Sequence, residues 1–127
     1  MGDALAITVR SERGAVIAAV TGEIDISTVA QLRERLFELA DNGGTLIVDL
    51  NRVTFIGSAG LGALVGAARR VAKYGGSLHA VCSRQQTRKL LWMTGVDRRI
   101  PLAATVDGAL MFHAASRDNS GSGTSGG

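Results

Sequence analysis

The sequence is poor in cysteine and in aromatic residues, and each shortage narrows the possible classes of protein. Its 127 residues include one cysteine, Cys82, so the chain offers neither an internal disulfide nor a cysteine-based metal site. Aromatic residues make up 4% of the chain, which argues against a nucleic-acid binder that stacks bases on rings. Hydrophobic residues make up 46%, so one globular domain with a core of leucine, valine, isoleucine and alanine is expected.

The chain also lacks a charge excess of one sign and a long apolar run. The formal net charge is +3 and the cations are scattered, so we interpret them as solvated surface and expect no direct binding to DNA. Arg69 ends the longest uncharged stretch before it reaches the length of a membrane span. The opening residues MGDALAITVR lack the pattern of a secretory signal. These absences predict a cytoplasmic protein that does not bind membranes. The densest basic groups are Arg69-Arg70-Lys73, Arg84-Arg88-Lys89 and Arg98-Arg99.

Apolar periodicity predicts strands that alternate with helices. Strands are predicted over residues 4–10, 14–25, 45–50, 78–83 and 99–104. Helices are predicted after Ser27 or Thr28, from Ser58, over residues 84–95 and from Thr105, with a capping box at Thr28 and Gln31. This order indicates an α/β fold with a mostly parallel sheet of four or five strands, opened by a hairpin, and about four helices.

The domain is predicted to span residues 4–115, and the Gly/Ser-rich tail over residues 116–127 to be disordered. Pro101 indicates a strand at the edge of the sheet. Trp92 and Met93 are expected to pack in the core rather than to contact a partner. Cys82 is expected to be buried in a strand.

The run FIGSAGLGALVGAA, residues 55–68, contains a single polar side chain, Ser58. It is no P-loop, because the required Lys-Ser/Thr pair is missing after Gly62. The spacing of its glycines is one residue too long for the glycine-rich fingerprint of dinucleotide-binding folds. The run is therefore only weak evidence for a nucleotide site. A hydrolase elbow would need glycine where Ile56 stands, and His79 and His113 have no evident carboxylate partner.

Two interpretations of Ser58 remain. Its hydroxyl could simply cap the helix that follows, which needs no function. A helix N-terminus also tolerates a phosphate, so Ser58 could instead be modified and place strong charge on an uncharged surface. Small residues at Gly62, Ala63 and Gly66 could serve tight packing on the sheet, or they could form a flat, outward helix face against which a partner could dock. We favour the outward face, because the larger apolar side chains of the same helix could fill its core side alone.

Asp25 also has two interpretations. It could satisfy backbone N–H groups in the turn before the first helix. It could equally belong to a functional site with Ser58, because both residues follow the carboxyl ends of predicted parallel strands.

Three blocks of the sequence resemble the STAS domain of bacterial anti-sigma-factor antagonists. They are GEIDISTVAQLRERL, LIVDLNRVTFIGSAGLGALVGAARRV and LLWMTGVDRRIPLAATVDGAL, and the resemblance covers about residues 4–115. The resemblance implies a STAS fold and a regulatory protein, not an enzyme, that uses no cofactor or metal. It implies that the unmodified protein binds an anti-sigma factor that is also a serine kinase. This binding would free the sigma factor. Phosphorylation of the serine would end the binding, and a serine phosphatase would restore it.

Carried to this chain, the resemblance implies that Ser58 is the phosphorylated residue. The partner-binding surface is expected to include Asp25, Gly57, Ser58, Ala59, Gly60, Gly62, Ala63 and Gly66. Family members usually have aspartate before the serine, where this chain has Gly57, and we expect a working switch with altered kinetics. The chain is expected to be a monomer or weak dimer. Two alternatives stay open: a STAS scaffold or transporter accessory module that is never phosphorylated, and a small nucleotide-binding protein that uses the GSAGLG segment.

Overall fold

The sheet begins with a tight hairpin between two antiparallel strands. In the computed structural model, which describes residues 5–113, β1 (Ala6–Glu12) and β2 (Ala15–Ile24) pair along the whole length of β1. Two residues connect the strands, and both have positive φ angles, 51° at Arg13 and 81° at Gly14. Turns of this kind match the twist of the flanking strands. The predicted hairpin is therefore confirmed, with a shorter turn than the sequence indicated.

The remaining strands join this hairpin in chain order. They are β3 (Thr45–Ile56), β4 (Ser77–Val81) and β5 (Leu102–Ala103), and the sheet order is β1-β2-β3-β4-β5. Every pair after the hairpin is parallel. The predicted α/β fold is confirmed, with five strands, and β5 lies at the edge of the sheet directly after Pro101.

Helices connect the parallel strands. The described residues contain five helices, of which the last follows β5. This is one helix more than the sequence indicated, because a one-turn helix follows Gly95. Gly95 has a φ of 79° and separates the third helix from this extra turn. The N–H of Gly108 donates to Oγ1 of Thr105 at 3.0 Å, which confirms the predicted cap of the last helix. The helices are α1 (Val29–Ala40), α2 (Ser58–Lys73), α3 (Gln85–Met93), α4 (Val96–Arg99) and α5, residues 106–113.

The hydrophobic core lies on both faces of the sheet. The larger cluster packs α1, α2, α3 and α4 against one face, around fully buried side chains such as Leu36, Leu46 and Leu64. A smaller cluster packs Ala109 and Leu110 of α5 against the opposite face. None of the helices described is both long and apolar enough to cross a membrane. The predicted tail over residues 116–127 lies outside the described residues.

Three details of the sequence interpretation need correction. β3 does not end at Leu50 but continues to Ile56. Trp92 and Met93 are not core residues, because 69% and 66% of their surfaces are exposed. The inward side of α3 is occupied by Thr87 and Leu91 instead. Cys82 is fully buried as predicted, but it lies just beyond the end of β4.

Candidate functional site

Ser58 is the first residue of α2 and is exposed to solvent. Gly57, with φ −91° and ψ 178°, is the N-cap residue, and the helix begins without a side-chain cap. The carbonyl of Gly57 accepts from the N–H groups of Gly60 and Leu61 at 3.0 and 3.2 Å. The interpretation of Ser58 as an N-cap is therefore wrong, since the serine lies one position inside the helix. Capping therefore does not account for the serine at this position.

Asp25 holds the turn that follows β2. Its Oδ1 accepts from the N–H and the hydroxyl of Ser27, at 2.9 and 2.7 Å, and from the N–H of Thr28 at 3.1 Å. Hydrogen bonds to Ser27 above all, and then to Thr28, lower the pKa of Asp25 below its usual value. The predicted turn role is confirmed, and the carboxylate stays ionised at neutral pH.

The predicted capping box at the start of α1 is absent. The hydroxyl of Thr28 accepts from the N–H of Asp25 at 2.9 Å and donates to the carbonyl of Glu23 at 2.8 Å. The side-chain amide of Gln31 instead donates to the carbonyl of Leu5 at 2.9 Å. Thr28 therefore stiffens the same turn as Asp25 instead of capping α1.

Strand register brings Asp25 and Ser58 to the same edge of the sheet. The last residues of β2 and β3, Ile24 and Ile56, are partners in the parallel pair. The N–H of Gly57 donates to the carbonyl of Ile24 at 2.9 Å, which ties the two strand ends together. The predicted neighbourhood of Asp25 and Ser58 is confirmed, whereas their binding of a partner stays a prediction.

Two large apolar side chains at this edge were missed by sequence reasoning. Ile26 follows Asp25 and is 86% exposed, and Phe55 precedes Gly57 by two residues and is 53% exposed. In the sequence, Ile26 stands between the polar residues Asp25 and Ser27. A lone apolar residue within a polar turn was the available signal that its side chain is exposed. The edge therefore combines an ionised carboxylate, an exposed hydroxyl and exposed apolar side chains. We call the surface formed by Asp25, Ile26, Phe55, Gly57 and Ser58 the serine edge.

The predicted outward face of α2 is largely wrong. Ala63 is fully buried, and Gly60 packs against Ile24 and Ile56. A Cβ on Gly66 would lie 3.0 Å from the ring of Phe37 in α1. Since α2 contacts both the sheet and α1, most of its small residues permit close packing. Within the predicted surface, Ala59 is half-buried, and Gly62 has open space around its Cα.

The two histidines lie far from Ser58. Nδ1 of His113 is 2.9 Å from Oγ1 of Thr45, the first residue of β3. Ser58 lies just beyond Ile56, the last residue of the same strand. A strand rises about 3.3 Å per residue, so β3 separates these positions by roughly 35 Å. His79 Nε2 is 3.1 Å from the hydroxyl of Ser77, the first residue of β4. Neither histidine can activate Ser58, and the hydrolase alternative is wrong.

The buried position of His79 predicts acid sensitivity of the fold. Burial, and then the charge of His113, lower the pKa of His79 below its usual value of about 6.5. As the pH falls, His79 takes up a proton more readily in the unfolded chain than in the folded chain. The contribution of neutral His79 to the free energy of unfolding is therefore fully present above about pH 6.5 and is lost as the pH falls below that value. Urea unfolding at about pH 7.5 and about pH 5.5 measures the loss. His79→Gln should reduce the difference; an unchanged difference would mean that other groups cause it.

The GSAGLG segment forms the first turn of α2 and not a glycine-rich loop. The chain is helical from Ser58 onwards, and the buried Gly60 faces Ile24 and Ile56. A cavity of about 580 Å³ lies instead at the opposite end of the sheet, where His79, His113 and Ser77 contribute to its lining. The structure thus gives the nucleotide-binding alternative no support at the segment that suggested it.

These features define a small α/β domain with an exposed serine at the start of a helix, beside a fixed carboxylate. A profile of the STAS domain family matches residues 6–109, and the chain belongs to this family.

Named relatives are similar over nearly the whole chain. The anti-sigma-F factor antagonist RsfB of Mycobacterium tuberculosis is 33% identical over 112 residues, which cover 85% of this chain and 88% of RsfB. The anti-sigma-B factor antagonist of Bacillus subtilis is 32% identical and covers 82% of this chain, with 95% of the relative covered. The crystal structure of an anti-sigma factor antagonist from Mycobacterium paratuberculosis has a TM-score of 0.80 at 30% identity, covering 87% of this chain and 95% of that one.

Proposed function

We propose that this chain is an anti-sigma-factor antagonist switched by phosphorylation of Ser58. In the unmodified state it binds an anti-sigma factor that is also a serine kinase, and the bound sigma factor is released. The observation that carries the proposal is the exposed Ser58 hydroxyl at the start of α2, within an apolar edge next to Asp25. The names of the relatives support the choice of partner.

A phosphate on Ser58 would be compatible with the fold but not with the bound partner. The N-terminus of α2 favours negative charge, so the folded domain tolerates the modification. A partner that covers the serine edge would have to desolvate nearly two negative charges beside the ionised Asp25. If this costs about 3 kcal/mol, affinity falls roughly 100-fold.

Gly57 is proposed to change the rate at which Ser58 is phosphorylated, and not whether Ser58 can be phosphorylated. Its φ of −91° lies outside the left-handed region, and a Cβ would meet the Phe55 ring at 3.4 Å, an ordinary contact. The backbone therefore does not require glycine here. We propose that the lack of an aspartate at this position alters the rate at which the kinase modifies Ser58.

The other parts of the proposed cycle follow from the same assignment. A serine phosphatase would remove the phosphate and restore binding. The chain would act in the cytoplasm as a monomer or weak dimer, and as a binding protein without a cofactor.

A displacement assay tests this proposal. Each anti-sigma factor of the source organism, bound to its sigma factor, is mixed with the full chain and separated by size-exclusion chromatography. We expect free sigma factor from at least one complex, and the Ser58→Ala chain should release it equally well. Retention of every sigma factor at a large excess of the chain would contradict the proposal.

A further inference from the structure

Ile26 is the most exposed large apolar side chain in the described part of the chain, with 86% of its surface in solvent. It lies in the turn between β2 and α1, directly after Asp25. A single exposed apolar residue is common on protein surfaces and has no functional meaning by itself. Ile26 differs from such residues in two respects. The turn that carries it is held by hydrogen bonds, and it lies at the same edge of the sheet as Ser58.

The turn itself does not need an isoleucine. The carbonyl of Asp25 accepts from the N–H groups of Thr28 and Val29 at 3.1 and 2.9 Å. The carboxylate of Asp25 accepts from the N–H groups of Ser27 and Thr28. The side chain of Ile26 makes none of these bonds and belongs to neither core cluster. A polar residue would serve the turn equally well, so the fold does not account for the isoleucine.

The same hydrogen bonds hold Ile26 in place before any partner binds. The hydroxyl of Thr28 accepts from the N–H of Asp25 and donates to the carbonyl of Glu23, so it ties the turn back to the end of β2. The branch at Cβ of isoleucine further restricts rotation about χ1. An ordered side chain loses little conformational entropy when it is buried in an interface. Ile26 is therefore a pre-organised apolar contact.

The strand register places Ile26 near Ser58. Ile24 and Ile56 are partners at the ends of β2 and β3, and neighbouring strands lie about 4.8 Å apart. Ile26 follows Ile24 by two residues, as Ser58 follows Ile56, and two residues span at most about 7 Å. One protein's share of a typical interface is about 800 Å², which is wide enough to include both residues. A protein that covers Ser58 can therefore cover Ile26 in the same contact.

An apolar pocket in a protein partner fits Ile26 better than other occupants do. The ionised carboxylate of Asp25 directly precedes Ile26, which disfavours insertion of this turn into lipid. Two copies of the chain that met through this turn would bring their Asp25 carboxylates together, which disfavours self-association. Phe55, 53% exposed, adds apolar surface to the same edge.

We propose that Ile26 is the main apolar anchor of the serine edge and inserts into an apolar pocket of the same anti-sigma factor whose binding Ser58 controls. This inference rests on the proposed function and names the side chain that supplies a large share of the affinity. Asp25 and Thr28 are positioning residues for the anchor, because they hold the turn that presents it.

Calorimetric titration of variants with the anti-sigma factor that the displacement assay identifies tests the anchor. Ile26→Ser should weaken binding by about 10- to 100-fold. Ile26→Leu keeps the apolar volume and should lose less affinity than the serine variant. Met111→Ser is the control, since Met111 is 68% exposed on α5, on the opposite face of the sheet, and its loss should leave the affinity unchanged.

The outcomes of this titration separate the two proposals. Equal affinities of Ile26→Ser and the wild type would overturn the anchor while the proposed function stands. An equal loss for Ile26→Ser and Met111→Ser would overturn it as well. If no anti-sigma factor binds the wild type, both proposals fail.

A second measurement uses the wild-type chain and does not depend on how the variants fold. The isoleucine methyl groups of the full chain are labelled with ¹³C, and the Ile26 signal is assigned by its absence from Ile26→Leu. In the complex with the unlabelled anti-sigma factor, we expect nuclear Overhauser effects between the Ile26 methyl and apolar protons of the partner. Their absence from a saturated complex would overturn the proposal. A wild-type dimer that Ile26→Ser converts to a monomer, at unchanged affinity for the anti-sigma factor, would also overturn it.

Discussion

Ser58→Glu is expected to weaken binding to the anti-sigma factor by about 10- to 100-fold, whereas Ser58→Ala should bind like the wild type. Ser58 is exposed and does not cap α2, so loss of its hydroxyl removes no contact that the fold needs. Glutamate adds a negative charge that the partner must desolvate near the ionised Asp25. Isothermal titration calorimetry of the two variants with the same anti-sigma factor measures the difference.

A size-matched control separates charge from bulk. Ser58→Gln has nearly the shape of Ser58→Glu without the charge, and it should bind close to the Ser58→Ala value. If glutamine weakens binding as much as glutamate, steric exclusion and not electrostatics would explain the loss.

Gly60→Ala and Gly62→Ala are expected to change stability in opposite directions, although both lie in the first turns of α2. A Cβ on Gly60 would lie 2.5 Å from Cγ2 of Ile24 and 2.9 Å from Cγ1 of Ile56, and both isoleucines are buried. Overpacking of this kind lowers the free energy of unfolding by about 1–3 kcal/mol. Gly62 has no atom within 4 Å of an added Cβ, so alanine there should raise it by about 0.5–1 kcal/mol.

Urea unfolding of the two variants checks this pair of predictions. The same variants also test the geometry of the site, because Gly60 sets the distance between the start of α2 and the ends of β2 and β3. Gly60→Ala should therefore weaken partner binding as well, by shifting Ser58 away from Asp25. Equal stability of the two variants would show that α2 does not approach Ile24 and Ile56 closely at Gly60.

The order of strands and helices could be predicted because it depends on local patterns. Apolar periodicity, the glycine-containing turn at Gly14 and the break at Gly95 each act over a few residues. The neighbourhood of Asp25 and Ser58 was also predictable, since parallel strands place their carboxyl ends together. The end of β3 was harder to predict. Residues 51–56 mix polar and apolar side chains, and only pairing with β2 makes them a strand.

The orientation of α2 and α3 could not be predicted because it depends on which elements pack against them. α2 is rich in small residues around its whole circumference, so the pattern does not distinguish the side facing α1 from the side facing solvent. The predicted outward position of Ala63 is therefore wrong. Trp92 and Met93 follow Leu91 in an apolar run, and hydrophobicity alone favoured the core for all three. The contacts of Thr87 and Leu91 leave the other two in solvent.

The most direct test of the switch is the intact mass of the full chain after incubation with ATP and each anti-sigma kinase of the source organism. We predict a gain of one phosphate with one kinase and no gain for Ser58→Ala under the same conditions. A Gly57→Asp chain should gain the same phosphate at a different rate. Tight binding to an anti-sigma factor, with no phosphate gained from any kinase, would contradict the switch and indicate a STAS protein that is never phosphorylated.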